Sequence, residues 1–340
     1  MNIDEGLQHG RRDDAAYREK IRQEQANYRD VLDVNALPPI FHYWSHTYLR
    51  PIFEAFGIGH PDDWFAKHLV ASAQRTGVSE PVFVSVGAGN CDTEVRVAKL
   101  IKAAGLDQFV IECIDINDAM LQRGREFAAQ EGVAEHLRFV EADFNDWRAS
   151  HAYDAVMANQ SLHHVLNLEG LFDEVKRALH PQGFFVISDI IGRNGHQRWP
   201  EALAVLHRFW TELPEAYRYN HLLKRHEPLY ENWDCSGEGF EGIRAQDILP
   251  LLLERFQFHK SIAFGNVIDP FIDRAFGHNF DADAAWDRDF IDRVHAHDEA
   301  SFQDGTLKPT HLFAVLTVGE PPSREYSRGL SPEACVRIPG

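Results

Sequence analysis

From Pro81 onward the sequence predicts an α/β domain built on a doubly wound, mostly parallel sheet. Short apolar runs of strand length alternate with longer amphipathic helical patterns. The runs are VFVSV, FVIECID, LRFVEAD, YDAVMAN and GFFVISDI, and the helical patterns cover about Asp92–Ala104, Asn117–Gln130 and Leu168–Leu179. Strands separated by helices of this length are joined by right-handed crossovers, so the pattern favours a parallel sheet covered on both faces. Ligands of such sheets bind beyond the carboxyl ends of the strands, where the strand order reverses.

Residues 1–80 carry no strand pattern and are predicted to form an N-terminal helical cap. A polar segment, Asp13–Val31, has widely spaced apolar positions and favours an exposed helix. Phe41–Gly77 is rich in aromatic residues, with Pro51 and Pro61 at positions that suit the first turn of a helix. We expect a small helical bundle there.

The main domain is predicted at 81–320 and contains two helical insertions, at about 192–242 and 266–308. Both leave the predicted carboxyl edge of the sheet, and their aromatic, histidine and aspartate content suits a closed pocket for a small polar ligand. The alternative is that most of these rings pack the extra helices onto the core. The last segment, 321–340, is predicted to be a loosely ordered tail.

Charge and composition exclude several classes of protein. With 52 acidic against 34 basic residues, the formal charge of −18 repels a polyanion, so no nucleic-acid partner is expected. The four cysteines lie far apart, which favours a reducing compartment over a disulfide framework or a zinc knuckle. The charged start has no apolar stretch of the signal-peptide kind, and no run is long enough to span a bilayer. We therefore expect a cytoplasmic protein with no membrane partner, whose oligomeric state the sequence leaves open.

The first strand ends at Gly87-Ala88-Gly89, ahead of a predicted helix. Glycines at this point let a ligand approach the main chain, and the helix start offers unpaired N–H groups. A tight turn alone is the competing explanation. The dinucleotide fingerprint G-x-G-x-x-G needs a third glycine where this chain has Asp92, which disfavours an NAD site.

The next two strands also end in side chains suited to a nucleoside. Asp115 closes the second strand, where a carboxylate can accept hydrogen bonds from both ribose hydroxyls. It is equally suited to begin the following helix. Asp143 and Phe144 close the third strand, and offer an acceptor for an adenine amino group beside a ring that can pack on a purine.

With these three strand ends the chain resembles the class I S-adenosylmethionine-dependent methyltransferases, over roughly Pro81–Asp189. The resemblance implies a seven-stranded sheet, S-adenosyl-L-methionine as cofactor, and a glycine loop beside its amino-acid part. It also implies that Asn159 and Gln160 face the methionine part, and the stretch LHPQGFF stands where many members have LKPGG. The cofactor-binding residues predicted on this basis are Gly87, Gly89, Asn90, Asp115, Ile116, Asp143, Phe144, Asn159 and Gln160.

The loop departs from the family pattern at Ser85. Members of the family usually carry an acidic residue two positions before the first loop glycine, where it contacts the cofactor amino group. We look to Asn90 and Glu94 for compensation. The alternative is that Asp92 and Glu94 only complement the positive end of the helix dipole.

The activity that the resemblance implies is methyl transfer to oxygen or nitrogen of a small polar metabolite, such as a sugar or a secondary-metabolite intermediate. The alternatives are a protein methyltransferase, an NAD(P)-binding oxidoreductase, and an enzyme that uses the same cofactor without transferring a methyl group. Transfer requires an aligned nucleophile and exclusion of water.

Two groups of residues are candidates for catalysis and substrate binding. His163 and His164 follow the fourth strand and offer a general base for a hydroxyl acceptor, unless they only pack the loop. Tyr43, Trp44 and His46 are polar-tipped aromatics of the N-terminal helices and are predicted substrate contacts. We expect these helices and the two insertions to form a lid over the cofactor's methyl group, or else to pack there without contacting ligand.

No metal site is assigned from the sequence. No H-E-x-x-H motif occurs among the 19 histidines. His295 and Glu299, four apart in a helical pattern, share one helix face, but a role in lining the pocket or the surface is favoured over metal coordination.

Overall fold

The structure, a computed structural model, describes residues 15–28, 37–237 and 239–338. The outer parts of the predicted cap, 1–14 and 29–36, lie outside the described residues, as do 238 in the first insertion and 339–340 at the end. None of the helices in the described ranges combines the length and apolar composition needed to cross a bilayer.

The described part of the N-terminal region, 15–28 and 37–80, contains helices and no strand. It contains α1 (Ala15–Tyr28), α2 (Pro39–Trp44), a π-helical turn (Ser45–Leu49), α3 (Arg50–Ala55) and α4 (Pro61–Thr76). Pro51 and Pro61 both stand in the first turn of a helix, where a missing N–H costs no hydrogen bond. His60 begins α4 with a reciprocal cap: its ring accepts from the Asp62 N–H, and its own N–H donates to Asp63.

The α/β alternation predicted from Pro81 is present. The elements are β1 (Val82–Val86), α5 (Asp92–Ala103), β2 (Val110–Asp115), α6 (Asp118–Gln130), β3 (Leu137–Glu141), β4 (Tyr153–Asn159), α7 (Leu168–Ala178) and β5 (Leu179–Ile190). The later elements are α8 (Pro200–Glu212), β6 (Tyr219–Asn220), β7 (Arg225–His226), α9 (Ala245–Arg255), β8 (Gln257–Phe264), α10 (Asp269–Ile272), α11 (Ala285–Asp304), β9 (His311–Thr317) and β10 (Glu325–Tyr326).

The main sheet has the strand order β10-β8-β9-β5-β4-β1-β2-β3. All neighbours run parallel except β9, which is antiparallel to both β5 and β8. The sheet thus contains the seven strands expected, with the two-residue β10 added as an eighth at the edge. The chain winds outward from β1 through β2 to β3 and returns to β4 on the other side of β1, so the strand order reverses between β1 and β4.

Strand periodicity divides the core between the two faces of the sheet. On β5, Phe185 and Ile187 belong to the hydrophobic cluster that includes α7 and α9. Phe184 and Val186 belong to the opposite cluster, with α4, α5 and α6. Because successive side chains of a strand point to opposite faces, each strand buries apolar residues on both sides, as a helix-covered parallel sheet requires.

Helix α4 lies against the sheet, although it belongs to the segment predicted as a cap. Trp64, Phe65 and Leu69 are buried in the same cluster as Phe313 of β9. The sequence shows that this helix has an apolar face, but it does not show which surface that face covers.

A third hydrophobic cluster joins α2 and the π-helical turn to both insertions. It includes Trp44 of α2, Leu206 and Trp210 of α8, Phe271 of α10 and Phe290 of α11. We name this cluster the cap core. It brings the three segments predicted to form a lid into one packed unit, whereas their action as a lid stays a prediction.

The segment after β9 is packed where a loosely ordered tail was expected. Cys335 is 3% exposed and belongs to the core on the α7 and α9 side. Arg337 forms an ion pair with Glu201 of α8 at 2.7 Å, and Arg328 pairs with Glu299 of α11. One buried anchor, Cys335, and two ion pairs outweigh the polar, proline-containing composition on which the expectation rested.

His68 of α4 provides a test of this packing through the pH dependence of stability. Its ring is 8% exposed and donates from Nδ1 to the Trp64 carbonyl. Burial lowers the pKa of His68 from 6.5 to about 4, although the bond to Trp64 opposes the shift; nearby Lys67, His259 and Lys260 also lower it.

We therefore expect acid to destabilise the fold through His68. His68 binds a proton near pH 6.5 in the unfolded chain but only near pH 4 in the folded protein. The free energy of unfolding that His68 contributes is therefore fully present above pH 6.5 and falls as the pH drops toward 4. Urea unfolding at pH 7 and pH 5 should show a loss that is smaller in His68→Gln than in wild type by about 2 kcal/mol. His226→Gln, at an exposed histidine, is the control; equal losses in wild type and His68→Gln contradict the assignment.

Candidate functional site

The glycine loop at the end of β1 is shaped by left-handed backbone and by close internal packing. Gly87 has φ 73° and Gly89 has φ 55°. A Cβ on Gly87 would lie 2.4 Å from the Ser161 Cβ, whereas one on Gly89 would meet the Met120 side chain at 3.3 Å. Glycine is required at 87 because the loop after β4 comes too close, not because a ligand does.

Asp115 fixes this loop from the end of β2. Its side chain accepts hydrogen bonds from the Gly89 N–H and the Asn117 N–H, each at 2.8 Å. Asn117 in turn caps α6 through the Met120 N–H. Asp115 also lines the cavity that the loop borders, so the same carboxylate orders the loop and faces the predicted ribose position.

The two residues predicted for the adenine differ in placement. Phe144 lines the cavity. Asp143 is not among the cavity-lining residues: its carboxylate accepts from the Tyr17 hydroxyl at 2.6 Å and from the Asn145 N–H at 2.9 Å. Helix α1, which carries Tyr17, thus reaches the end of β3. The Tyr17 hydroxyl therefore competes with the predicted adenine amino group for the Asp143 carboxylate. The sequence did not reveal this partner.

Glu94 stands beside Ser85, the position where the loop departs from the family pattern. The Ser85 hydroxyl donates to the Glu94 carboxylate at 2.6 Å, and Glu94 is 2% exposed while lining the cavity. Burial raises the pKa of Glu94 to about 7, although the hydrogen bond from Ser85 opposes the shift. A carboxylate is therefore present at the compensating position proposed from the sequence.

The other predicted cofactor residues also face the cavity. Asn90 accepts from the Arg123 guanidinium at 2.8 Å, Asn159 donates to the Thr93 hydroxyl at 3.1 Å, and Gln160 donates to the Ser188 hydroxyl at 3.0 Å. Gln160 adopts φ 52°, which turns the chain sharply after β4. Ile116 lies in the same lining, beside Asp115.

His163 is held by a buried carboxylate at the end of β5. Its Nδ1 donates to Asp189 at 2.7 Å, and Asp189 also accepts from the main-chain N–H groups of Ser161, Leu162 and Ile190. Asp189 is fully buried and His163 is 4% exposed. The carboxylate therefore sets the orientation of the ring and directs Nε2 away from β5.

A second carboxylate, Glu241 of the first insertion, lies among three histidines. Its oxygens are 3.5 Å from the His163 Nε2, 3.5 Å from the His164 Nε2 and 2.6 Å from the His196 Nε2. The Nδ1 atom of His196 is buried, with no hydrogen-bond partner among the described residues. We name His163, His196 and Glu241 the histidine–glutamate cluster.

The electrostatics of this cluster do not favour His163 as a general base at neutral pH. Burial by itself lowers the pKa of His163, but the carboxylates of Asp189 and Glu241 outweigh it and raise the pKa to about 10. Burial lowers the pKa of His196 more than Glu241 raises it. The bonds from His163 and His196 hold the pKa of Glu241 well below its usual range, against the effect of burial.

Most of these groups border one cavity of about 850 Å³, whereas Asp143 and Asp189 lie outside its lining. One wall is the glycine loop with Asp115, and another carries the histidine–glutamate cluster. Aromatic rings of α2 and of the strands β8 and β9 complete it, together with the polar Arg198 and Thr310. The size lies within the range of roughly 300–1,000 Å³ found for small-molecule sites.

Of the three predicted substrate contacts, only Trp44 borders this cavity. Its Nε1–H donates to His295 at 3.3 Å. Tyr43 bonds Asp292 at 2.9 Å instead, and His46 is exposed in the π-helical turn. Neighbouring helical residues point in different directions, so one inward-facing ring excludes its neighbours from the same wall.

His295 and Glu299 each contact another side chain. His295 stacks on Tyr48 with ring centroids 3.9 Å apart and accepts the bond from Trp44. Glu299 is paired with Arg328 from the segment after β9. The structure thus gives each residue its own protein partner.

Sequence reasoning missed Asp189, His196 and Glu241. Asp189 carried a usable signal, because it ends a strand in the same way as Asp115. His196 and Glu241 carried none, since they lie 45 residues apart in an insertion with no regular pattern.

Part of the chain is similar to known methyltransferases. Residues 86–187 match a family model described as a methyltransferase domain. The sterol 24-C-methyltransferase ERG6B of Gibberella zeae is 28% identical over 174 residues, which cover 49% of this chain and 43% of that protein. The ubiquinone/menaquinone biosynthesis C-methyltransferase UbiE of Brucella anthropi is 32% identical over 118 residues, 34% of this chain and 42% of that protein. The chain therefore spans less than half the length of these curated relatives.

Solved structures with a similar outline are more distant in sequence. Geranyl diphosphate C-methyltransferase from Streptomyces coelicolor A3(2) is 12% identical, with a TM-score of 0.47 over 88% of this chain and 98% of that one. An O-methyltransferase from a trans-AT polyketide synthase multienzyme of Brevibacillus brevis is 12% identical, with a TM-score of 0.46 over 84% of this chain and 85% of that one. At these values the similarity adds nothing to the sheet already described.

The chain contains a methyltransferase domain of the class I, S-adenosylmethionine-dependent type. The fold class and the cofactor predicted from the sequence are confirmed at the level of this domain. Which of the named residues contact the cofactor remains a prediction.

Asp115→Asn tests the cofactor assignment. The substitution keeps the size of the side chain and removes the charge, so it weakens hydrogen bonds that are each worth about 1.5–3 kcal/mol when charge-assisted. We expect the affinity for S-adenosylhomocysteine, measured by titration calorimetry, to fall roughly 100-fold. Asp118→Asn, at an exposed position three residues away, should bind as wild type does. Unchanged affinity in a folded Asp115→Asn protein refutes the assignment.

Glu94→Gln tests whether Glu94 replaces the acidic residue missing at Ser85. The pKa of Glu94 is about 7, so the wild-type carboxyl ionises as the pH rises through 7 and then attracts the cofactor's α-ammonium group. We expect wild-type affinity for S-adenosylhomocysteine to rise between pH 6 and pH 8, by roughly tenfold. Glu94→Gln should lose this rise, whereas Glu126→Gln, at an exposed position of α6, should keep it. The same pH profile in all three proteins would show that Glu94 does not contact the ammonium.

Proposed function

We propose that this protein transfers the methyl group of S-adenosylmethionine to an oxygen or nitrogen atom of a small polar metabolite. One observation carries the proposal: a single cavity has the glycine loop and Asp115 on one wall and the polar histidine–glutamate cluster on another. Cofactor and acceptor therefore have adjoining places in one enclosure, as in-line transfer requires.

The form of the cavity supports a small acceptor over a macromolecule. The cap core packs α2, α8, α10 and α11 together, and residues of α2 and α10 line the cavity. Helices packed above the carboxyl edge cover part of the cavity, which suits a small acceptor better than a protein substrate that needs a long groove. The net charge of −18 also disfavours a nucleic-acid acceptor.

The proposed division of work between residues follows from their positions. When bound, the cofactor supplies a sulfonium-activated methyl group. Asp115 and the Gly87–Gly89 loop would hold the ribose and the amino-acid part, and Phe144 would pack on the adenine. Asn159 and Gln160 would face the methionine end. The chain need only align the acceptor and exclude water, since no covalent intermediate on the protein is required.

The acceptor would be recognised from the polar wall. Glu241 is ionised and lies among histidines, so it can accept a hydrogen bond from an acceptor hydroxyl or amine and fix its direction. Trp44 and Phe313 supply apolar surface on the neighbouring walls. Such a mixture of apolar walls and a few convergent polar groups is typical of small-molecule sites.

Methylation of carbon is the second candidate. The observation in its favour is that the two curated relatives described above are named as C-methyltransferases. A carbon acceptor would still be oriented through a neighbouring oxygen. The two candidates differ in the bond formed, which can be read from the product.

The test is an activity screen with S-adenosylmethionine carrying a labelled methyl group. Fractionated metabolites and proteins of a cell extract are incubated with the enzyme, and we expect label in compounds of low mass. NMR of the product with a ¹³C-labelled methyl group distinguishes an O- or N-bound methyl from a C-bound one by chemical shift. Asp115→Asn, with its impaired cofactor binding, is the negative control. Label that appears only in protein contradicts the small-molecule proposal.

A further inference from the structure

We propose that His163, His196 and Glu241 form a binding site for a divalent transition-metal ion of the zinc type. Each residue offers one ligand atom, and these atoms all lie within 4.8 Å of one another. The three residues come from the loop after β4 and from two separate parts of the first insertion. Two imidazoles and one carboxylate form a common ligand set for a catalytic zinc ion.

The spacing of the ligand atoms suits a metal ion. Zinc–nitrogen and zinc–oxygen bonds of about 2.0–2.2 Å place neighbouring tetrahedral ligands roughly 3.3–3.5 Å apart. The His163 Nε2 and Glu241 Oε1 atoms are already 3.5 Å apart. The His196 Nε2 and Glu241 Oε1 atoms are 2.6 Å apart, so this pair must move apart for both atoms to bind one ion.

A buried carboxylate orients the first ligand. The His163 Nδ1 donates to Asp189 at 2.7 Å, so Nε2 is the ring atom that faces Glu241 and would bind the ion once deprotonated. Asp189 is itself fixed by the Ser161 and Leu162 N–H groups at 3.0 Å and 2.7 Å. Metal-bound histidines commonly have this outer carboxylate, which fixes the tautomer and the direction of the ring.

The main chain holds the three ligand-bearing segments together independently of their side chains. The Ile243 N–H donates to the His163 carbonyl at 3.0 Å, and the Gly195 N–H donates to the Gly242 carbonyl at 2.9 Å. These bonds tie each histidine segment to the backbone within two residues of Glu241. The ligands therefore stand on a backbone that is already assembled, as a site of defined geometry requires.

The ligand set also indicates the kind of metal and its role. Imidazole nitrogens favour zinc, iron, cobalt or nickel over magnesium or calcium, which prefer oxygen ligands. Three protein ligands leave a coordination position open, and all three residues line the cavity. An oxygen of the methyl acceptor would occupy that position. This last role rests on the proposed function, whereas metal binding by itself does not.

Cobalt titration of the chelator-treated protein tests the site directly. We expect one equivalent of Co²⁺ to bind with a visible absorption band of nitrogen- and oxygen-ligated cobalt, and Zn²⁺ to displace it. His196→Ala and Glu241→Gln should each weaken Co²⁺ binding at least 100-fold, and Asp189→Asn about 10- to 100-fold through its effect on His163. His311→Gln is the matched control, because His311 also lines the cavity and lies beside a carboxylate, Asp269, at 3.4 Å.

Two results would overturn the proposal. One is that Co²⁺ binding to the wild-type protein does not saturate at Co²⁺ concentrations up to about 100 µM, which corresponds to a binding free energy weaker than about −5.5 kcal/mol. The other is binding that His196→Ala and Glu241→Gln leave unchanged, which would place the ion elsewhere. X-ray absorption of the zinc-loaded wild-type protein, which should show two imidazole ligands, gives an answer even if the variants fail to fold.

Metal binding and methyl transfer are measured separately. Titration with S-adenosylhomocysteine reports the cofactor site, and the cobalt spectrum reports the cluster. If the protein binds cobalt at the cluster but transfers no methyl group, the proposed function is contradicted and the metal site is supported. If the protein transfers methyl groups at the same rate after metal removal and gives no cobalt spectrum, the metal site is contradicted and the proposed function is supported.

Discussion

The arrangement of the site depends on one buried carboxylate, Asp189 at the end of β5. It accepts four hydrogen bonds, from the main chain of Ser161, Leu162 and Ile190 and from the His163 ring. Because the group is fully buried, losing any of these donors would leave a charge in an apolar interior at high cost. Asp189 thereby fixes the turn that follows β4 against the end of β5.

The turn after β4 also shapes the glycine loop at the end of β1. The Ser161 hydroxyl donates to the Val86 carbonyl at 2.6 Å, and its Cβ occupies the space beside Gly87. Ser161, which follows β4, thus links the carboxyl ends of β1 and β5 at the point where the strand order reverses. Asp115 completes the link on the β2 side by accepting from Gly89. The cavity has a defined shape at this edge because four strand ends share these few bonds.

The parts that were added to the sheet determine the other half of the cavity. The first insertion brings His196 and Glu241 to within reach of His163, and the cap core holds α2 beside α10 and α11. A sheet of this class leaves its carboxyl edge open to solvent unless another segment covers it. In this protein the covering segments direct polar side chains as well as apolar ones toward the cavity. They therefore contribute polar groups such as His196 and Glu241 to its lining.

Local sequence patterns were sufficient to predict the longer strands of the sheet, the order of helices and strands in the α/β domain, and the residues at the strand ends. These features depend on local periodicity and on short stretches such as Gly87–Gly89 and Asp115, which are read without knowing any distant contact. Glu94 was also within reach, because it lies in the helix that begins at the loop. The cap, the insertions and their aromatic character were visible as segments, though not as surfaces.

Contacts between side chains far apart in the sequence could not be predicted and became known from the fold. Trp44 faces the cavity while Tyr43 and His46 do not, because the packing of α2 in the cap core selects one direction for each residue. Tyr17 meets Asp143, and Glu241 meets His163, at sequence separations of 126 and 78 residues. No local pattern encodes such pairs, since they depend on how independently formed elements pack, and packing is set by the sum of many weak contacts over the whole chain.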